Sequence, residues 1–297
     1  MNERDLRYFC QLIETGSYTQ TAAHFHITQP AISAAVKRLE AEYDLHLVTQ
    51  ENHRSQLVAT PAGRILYVKA KHLLKTLSQI ALEVQHAAEP AVRLGFSNVA
   101  GRIWLPRVLK RFVTLHLLDE VVTTTNHSET LLDDLRHGKL DAAVLSTLGP
   151  ENEPDLRAIT LEKHPFRLLV NRHHPLHRLK VIHATDLQDV PIIARPPHTL
   201  PRQALTAFCR QPQVHPQIIY EATTNELVES IVAQNIGVGL AVENSLVLSD
   251  QVVSRPLAAA EQPHCYMQLV VRKSFIPNVK QQQCLDILKA VSHSEND

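Results

Sequence analysis

The sequence predicts an α+β multidomain chain. It divides into an N-terminal winged helix-turn-helix over residues 1–60, a long linker helix over 61–89, and an α/β region over 90–297. Three observations predict it. The first 60 residues hold three short helical segments and then a hairpin pattern. Residues 63–87 repeat apolar positions at alternating spacings of 3 and 4. After Pro90 the pattern changes to strands alternating with helices.

In the first segment Leu6, Phe9, Leu12 and Ile13 make an apolar stripe at helical spacing, and Gly16 stops it. Ser17 or Thr19 can cap the next helix, which carries Ala22, Ala23 and Phe25. A break at Ile27-Thr28 follows. The third helix then starts in TQPAISAAVKRLE, with Thr28 as N-cap and Pro30 in the first turn, where a missing N–H costs nothing. Ile32, Val36 and Leu39 share one of its faces. Leu45 and Leu47 continue into a strand-like piece, 51–56 is a polar turn, and Leu57-Val58 begins a returning strand.

This order is that of a helix-turn-helix, whose second helix enters the major groove with its N-terminal residues against base edges. Gln29 suits bidentate bonding to adenine and Ser33 can bond several bases. The same spacing also fits two ordinary solvated polar residues. The linker positions Gly63, Leu66, Ala70, Leu73, Leu77, Ile80, Val84 and Ala87 make about four heptads of a and d sites, enough for a coiled coil. A helix packed on its own domain is the alternative. Glu89-Pro90 ends it.

The segments DLRYF, GSYTQTAA, TQPAIS, KRLE and TPAG, in that order over residues 1 to about 65, resemble the DNA-binding domain of LysR-type transcriptional regulators. Two positions depart from that family's habit. Ala34 stands where Arg is frequent, and Val48-Thr49-Gln50 where Phe-x-Arg often enters the wing. Residues 1–60 carry five basic residues (Arg4, Arg7, Lys37, Arg38, Arg54) against seven acidic ones (Glu3, Asp5, Glu14, Glu40, Glu42, Asp44, Glu51), a net of −2. The resemblance implies DNA contacts from Thr28, Gln29, Pro30, Ser33, Lys37, Arg38, His53 and Arg54. With so few cations for phosphates, His24 and His26 included at most, binding should depend strongly on avidity. It also implies dimerisation through Leu66, Leu73, Leu77, Ile80 and Val84.

Past Pro90, strands are expected at 92–97, 120–125, 140–145, 166–170, 190–194, 217–222, 238–242 and 267–272. Helices are expected at about 99–115, from a cap at Ser128 to a stop at Gly138, and at about 199–210, 225–235 and 278–291. The βαβαβ order implies parallel strands with helices on their faces. LRHGKLDAAV, HHPLHR and NIGVGLAV resemble recurring segments of the LysR-type effector domain, which has two α/β lobes like those of periplasmic solute-binding proteins. By that resemblance lobe I is 91–163 plus 268–297, lobe II is 164–267, and two crossing strands form the hinge. Ligands in open α/β sheets sit beyond the carboxyl ends of strands. Three loops lie there: Ser97-Asn98-Val99, a second from Arg195 to His198 and Thr199, and Thr223-Thr224-Asn225, of which Thr223 and Thr224 are the expected contacts. Free N–H groups at the helix starts and the charge of Arg195 favour an anion. Ser97, Thr199 and Thr224 also suit plain N-caps. The wing sequence ENHRSQLVATPAG resembles that of malolactic-fermentation regulators, implying a dicarboxylate such as malate.

Composition narrows the rest. Of 297 residues, 44% are hydrophobic and 20% charged, with 30 basic against 30 acidic. This suits a globular protein and argues for no particular polyanion. The start, MNERDLRYF, lacks the apolar core of a signal peptide, and no apolar run reaches the length of a spanning helix. A cytoplasmic location without membrane contact is expected. Cys10, Cys209, Cys265 and Cys284 have no CxxC spacing and read as reduced and structural, with a redox switch as the alternative. No HExxH, GxSxG, P-loop or GxGxxG occurs, and the 8 glycines leave little for phosphate loops. No metal or cofactor is therefore implied, and an enzyme is disfavoured. A solute-binding transport protein would account for 91–297 but not for 1–89. The expected partners are double-stranded promoter DNA, further copies in a homodimer or homotetramer, a small-molecule effector and RNA polymerase.

Overall fold

The structure, a computed structural model, describes residues 1–49, 57–87, 91–210, 214–258, 260 and 262–291. The chain falls into two compact units, Met1–Gln85 and His86–Asp297.

In the first unit α1 (Glu3–Thr15), α2 (Tyr18–His24) and α3 (Gln29–Tyr43) pack around one core. Asn2 and Ser17 cap α1 and α2 by accepting backbone N–H groups. Gly16 ends α1 at φ 63, a left-handed conformation that glycine adopts without cost, and its N–H donates to the Leu12 carbonyl. Leu6, Phe9 and Leu12 face inward, as do Ile32, Ala35, Val36 and Leu39 of α3. Ala35, also buried, extends the stripe read from the sequence. The wing is a two-stranded ladder, β1 (Val48–Thr49) with β2 (Val58–Ala59). Leu45, expected in the first strand, instead lies exposed before it, because Asp44 ends α3 at φ 52 and turns the chain. The wing turn at 51–56 and the helix end at Glu89-Pro90 lie outside the described residues.

The long helix α4 (Pro61–Ala87) starts against this unit. A Cβ on Gly63 would overlap the Leu47 carbonyl oxygen and lie 2.9 Å from its carbon. Gly63→Ala is therefore expected to cost about 1–3 kcal/mol or more by overpacking. A shift in thermal unfolding measures it, and an unchanged midpoint would deny the close approach.

The second unit opens with β3 (Val92–Ser97), α5 (Asn98–Ile103), α6 (Leu105–Thr114), β4 (Val121–Asn126), α7 (Ser128–Arg136) and β5 (Ala142–Thr147). It continues through β6 (Leu156–Asn171), β7 (Pro191–Ala194), α8 (Leu200–Cys209), β8 (Gln217–Glu221) and α9 (Asn225–Ala233). It closes with β9 (Val238–Val242), β10 (Val252–Pro256), β11 (His264–Arg272) and α10 (Val279–Ala290). Neighbouring strands run β4-β3-β5-β11-β6-β9-β7-β8, with β10 paired to β6. Each lobe keeps a parallel ladder: β3 lies between β4 and β5, and β7 between β8 and β9. The crossing strands are antiparallel. Residues 156–165 of β6 pair with β11, and residues 166–169 pair with β9, so one strand belongs to both lobes.

Three expectations need correction. The strand expected from 166 begins at Leu156: Arg157, Glu162 and Lys163 interrupt the apolar run of its first half, which pairing with β11 nevertheless makes a strand. The single helix expected at 99–115 is two helices, broken at Trp104. Pro106 cannot donate the hydrogen bond that a continuous helix needs. Ser128 is the first residue of α7 rather than its cap.

Candidate functional site

The third helix presents the features expected of a base-reading element. Thr28 precedes α3 in extended backbone, and its side chain makes no capping bond. Gln29, Pro30, Ala34 and Lys37 are exposed and Ser33 is half-buried, while the opposite face is fully buried. Lys37 has no ion pair among the described residues. Arg38, read as a phosphate contact, also makes an ion pair within its own unit. Its Nε and Nη2 donate to Asp5 at 2.9 and 2.5 Å, and the Asp5 side chain is only 3% exposed. The pair clamps α3 to α1. His53 and Arg54 lie outside the described residues.

The Arg38 hydrogen bond and charge hold the Asp5 carboxyl below the usual carboxylate value, with burial opposing them. A carboxylate depressed in the folded state stabilises above its unfolded pKa, about 3.9. That contribution is lost as pH falls through the folded value. Asp5→Asn is thus expected to lower the thermal midpoint at neutral pH and to flatten its acid limb below about pH 4. An acid limb identical to the parent's would contradict the clamp.

In the second unit the loops that leave β3, β4, β5 and β7 surround a cleft of about 420 Å³. Ser97 is buried there. Its hydroxyl accepts the Ala100 N–H at 3.3 Å and bonds the Ser146 hydroxyl at 2.7 Å. Ser128 donates to the Ser146 carbonyl at 3.0 Å, fixing the start of α7. Arg195 enters from lobe II. Its Nη1 donates to the Ala222 carbonyl at 2.8 Å, and its Nε is buried without a hydrogen-bond partner among the described residues. Burial works against the charge of this guanidinium and lowers its pKa. The Thr199 hydroxyl bonds the Pro196 carbonyl, so α8 starts without a side-chain cap. At the rim the His127 and His198 rings meet edge to face at 5.1 Å, and Arg102 pairs with Glu226. Both contacts link lobe I to lobe II.

Ser97, Asn98, Val99, Arg195, His198 and Thr199 all line this cleft. Thr223 and Thr224 do not. Both are exposed, and the Thr224 hydroxyl caps α9 by accepting the Leu227 N–H at 3.1 Å. Asn225, one residue on, lines the cleft instead. Sequence reasoning missed His127, Ser146, Thr147, Glu151 and Gln203. The signal for His127 was available, because it immediately precedes a helix that follows a strand.

The four cysteines are buried and form no disulfide. Burial pushes the Cys265 thiol up to about 12, and those of Cys10 and Cys284 to about 11. Such thiols are protonated and inert at neutral pH. Among the described residues no cluster of His, Cys, Asp and Glu could hold a metal ion, and no helix is long and apolar enough to cross a membrane.

Comparison with known proteins decides the family. Residues 3–64 match the bacterial regulatory helix-turn-helix proteins of the lysR family, and residues 85–292 match the LysR substrate binding domain. The chain belongs to the LysR family. A similar relative is the malolactic fermentation system transcriptional activator of Lactococcus lactis, 24% identical over 98% of this chain and 99% of that protein. The nitrogen assimilation regulatory protein nac of Klebsiella aerogenes is 35% identical over 50% of each chain. Full-length BenM shares the fold at 20% identity and a TM-score of 0.60, covering 100% of this chain and 98% of that one. The regulatory domain of Synechocystis CcmR in complex with 2-PG covers 69% of this chain and 98% of its own, at 22% identity and a TM-score of 0.61. This LysR-family chain is accordingly a DNA-binding transcriptional regulator with a ligand-binding domain, not an enzyme.

The apolar seam of this regulator's α4 divides in two. Gly63 and Ala70 are buried and Leu66 half-buried, all against the chain's own first unit. Leu66, read as a dimer contact, thus already packs partly against the chain's own unit. Tyr67 and Lys71 bond Glu14 of α1 at 3.0 and 2.7 Å and hold that half in place. Beyond it Leu73, Ile80 and Val84 are exposed at 40, 50 and 68%, with Leu77 half-buried.

Proposed function

We propose that this LysR-family protein acts in the cytoplasm as a dimer, or a tetramer built from dimers, and switches promoters in response to a small metabolite bearing a carboxylate. Gln29 and Ser33 read base edges, with Thr28 and Lys37 on the backbone. The exposed Leu73–Val84 segment joins two chains, which sets half-sites one helical turn or a multiple apart. RNA polymerase is the partner through which promoter occupancy becomes transcription. One observation carries the effector reading: Arg195 brings a partly buried, incompletely bonded guanidinium into a cleft whose other wall holds Ser97 and the start of α5. A carboxylate would satisfy the donors that burial has stripped of water.

The ligand shifts an equilibrium between lobe arrangements that exists without it. The Arg102–Glu226 pair is about half exposed, and such a pair contributes roughly 0–1 kcal/mol, weak enough for the lobes to move. Arg195→Ala is expected to abolish the response of promoter complexes to inducer and leave basal DNA affinity near normal. Footprinting with and without a cell metabolite extract reads both. Undiminished induction would remove Arg195 from the site. Gln29→Ala is expected to weaken the cognate site by about 1–3 kcal/mol and relax preference at one base pair. Arg54→Ala should weaken all sequences alike and flatten the salt slope by about one unit. Equal weakening of random and cognate DNA by Gln29→Ala would deny base reading.

A further inference from the structure

The cleft carries charges of both signs, and they come from opposite lobes. Arg195 belongs to lobe II. Lobe I contributes Glu129, in the first turn of α7, and Glu151, in the loop after β5. Neither carboxylate has a cationic partner among the described residues. The remaining titratable groups of the lining are His127 and His198, which face each other at the rim.

Glu151 is also a placed residue. Its backbone N–H donates to Gln268 Oε1 at 2.8 Å, and the Thr147 hydroxyl meets the same oxygen at 3.1 Å. Gln268 is itself 2% exposed and anchored in β11, with its Nε2 donating to the Thr160 hydroxyl at 3.3 Å. A buried amide on the crossing strand thereby fixes the loop that brings a half-buried carboxylate to the cleft.

A ligand carrying only negative charge would satisfy Arg195 and meet repulsion from Glu129 and Glu151. A second carboxylate would make that worse, because like charges in a partly desolvated site oppose each other strongly. A ligand with one group of each sign satisfies both walls. We propose that the effector is a small zwitterion, an amino acid or related amino-carboxylate. Its carboxylate lies on Arg195 and its ammonium faces Glu151, with Glu129 adding to the negative wall. The cleft volume, about 420 Å³, falls in the range of single-metabolite sites, roughly 300–1,000 Å³. Such a ligand also bridges the lobes, since its two charges attach to different ones. The proposal rests on the cleft reading above, and adds the sign and class of the second group.

The test uses the full-length protein and matched probes. Thermal shift and calorimetry are run with the twenty L-amino acids, with 2-hydroxy acids of the same carbon skeleton, and with succinate and malate. At least one amino acid is expected to bind, about tenfold or more tighter than its hydroxy-acid counterpart, because a site built to bond a group rejects analogues lacking it. Glu151→Gln is expected to erase that preference, while Arg195→Ala removes binding of both members of the pair. Preferential binding of malate or succinate, or no binding by any amino acid, overturns the zwitterion. If a dicarboxylate binds and Arg195→Ala abolishes it, the cleft reading stands and only the zwitterion falls. Amino-acid binding that survives Arg195→Ala overturns the cleft reading itself.

Discussion

Protein carrying Leu73→Glu and Ile80→Glu is expected to sediment as a monomer and to lose promoter affinity by about 100- to 10,000-fold, the range that linked binding events supply. The two side chains are 40 and 50% exposed in the single chain, on a face that Leu77 and Val84 continue. Among the described residues no buried cluster takes up Leu73, Ile80 or Val84, whereas Leu66 and Ala70 join one. Two glutamates per chain would place four like charges in a paired seam, which desolvation makes far worse than at a surface. The weakness expected of one DNA-binding unit alone follows from its charge. Residues 1–60 sum to −2, and Arg38 is already held by Asp5. Phosphate contacts are therefore expected to be few, and affinity to depend on two units binding one DNA. Sedimentation equilibrium and a promoter shift at fixed salt read both effects, with circular dichroism confirming that the helix persists. An unchanged oligomer would sink the seam, and tight promoter binding by a true monomer would sink the avidity argument.

The same helix shows where the sequence is legible and where it stops. A 3,4 repeat states that one stripe of α4 is buried, but not by which chain. Gly63 to Ala70 and Leu73 to Val84 belong to one repeat and have different environments. The helices α1 and α3 were readable because each buries a single periodic face and ends at a left-handed residue, Gly16 or Asp44. The ion pair of Arg38 is not legible in the sequence, because its partner, Asp5, lies 33 residues away on another helix. The first half of β6 was hidden for a related reason. Arg157, Glu162 and Lys163 break its apolar run, and only pairing with β11 makes it a strand. At the cleft, strand ends pointed to Ser97 and Arg195 correctly as a place. The choice between Thr224 and Asn225 depended on which side chain turns back to cap α9, and composition holds no record of that. The wall that Glu151 forms is set by Gln268, 117 residues away.

The largest loss of stability is expected from Trp104→Ala, at about 3–5 kcal/mol. Trp104 is fully buried, in the cluster that holds Phe96, Val108 and Phe112. It sits at the break that Pro106 imposes between α5 and α6, at φ −96 and ψ −43, serving as the last cap of one helix and the first of the other. Truncation there removes the transfer energy of the largest side chain in the core and leaves a void that two helices hinged at the same point must close. The change also has a functional direction. α5 carries the Ser97-Asn98-Val99 edge of the cleft, so loosening its far end should degrade ligand binding before it touches the recognition helix in the other unit. Urea unfolding followed by circular dichroism measures the loss, since the substitution removes the only tryptophan and its fluorescence. Trp104→Phe keeps an aromatic ring in place and is expected to cost clearly less. A loss under about 1 kcal/mol for Trp104→Ala, well short of what a buried aromatic should give, would mean that the α5–α6 junction is not packed as described. Loss of promoter binding in parallel with ligand response would contradict the separation of the two functions along the chain.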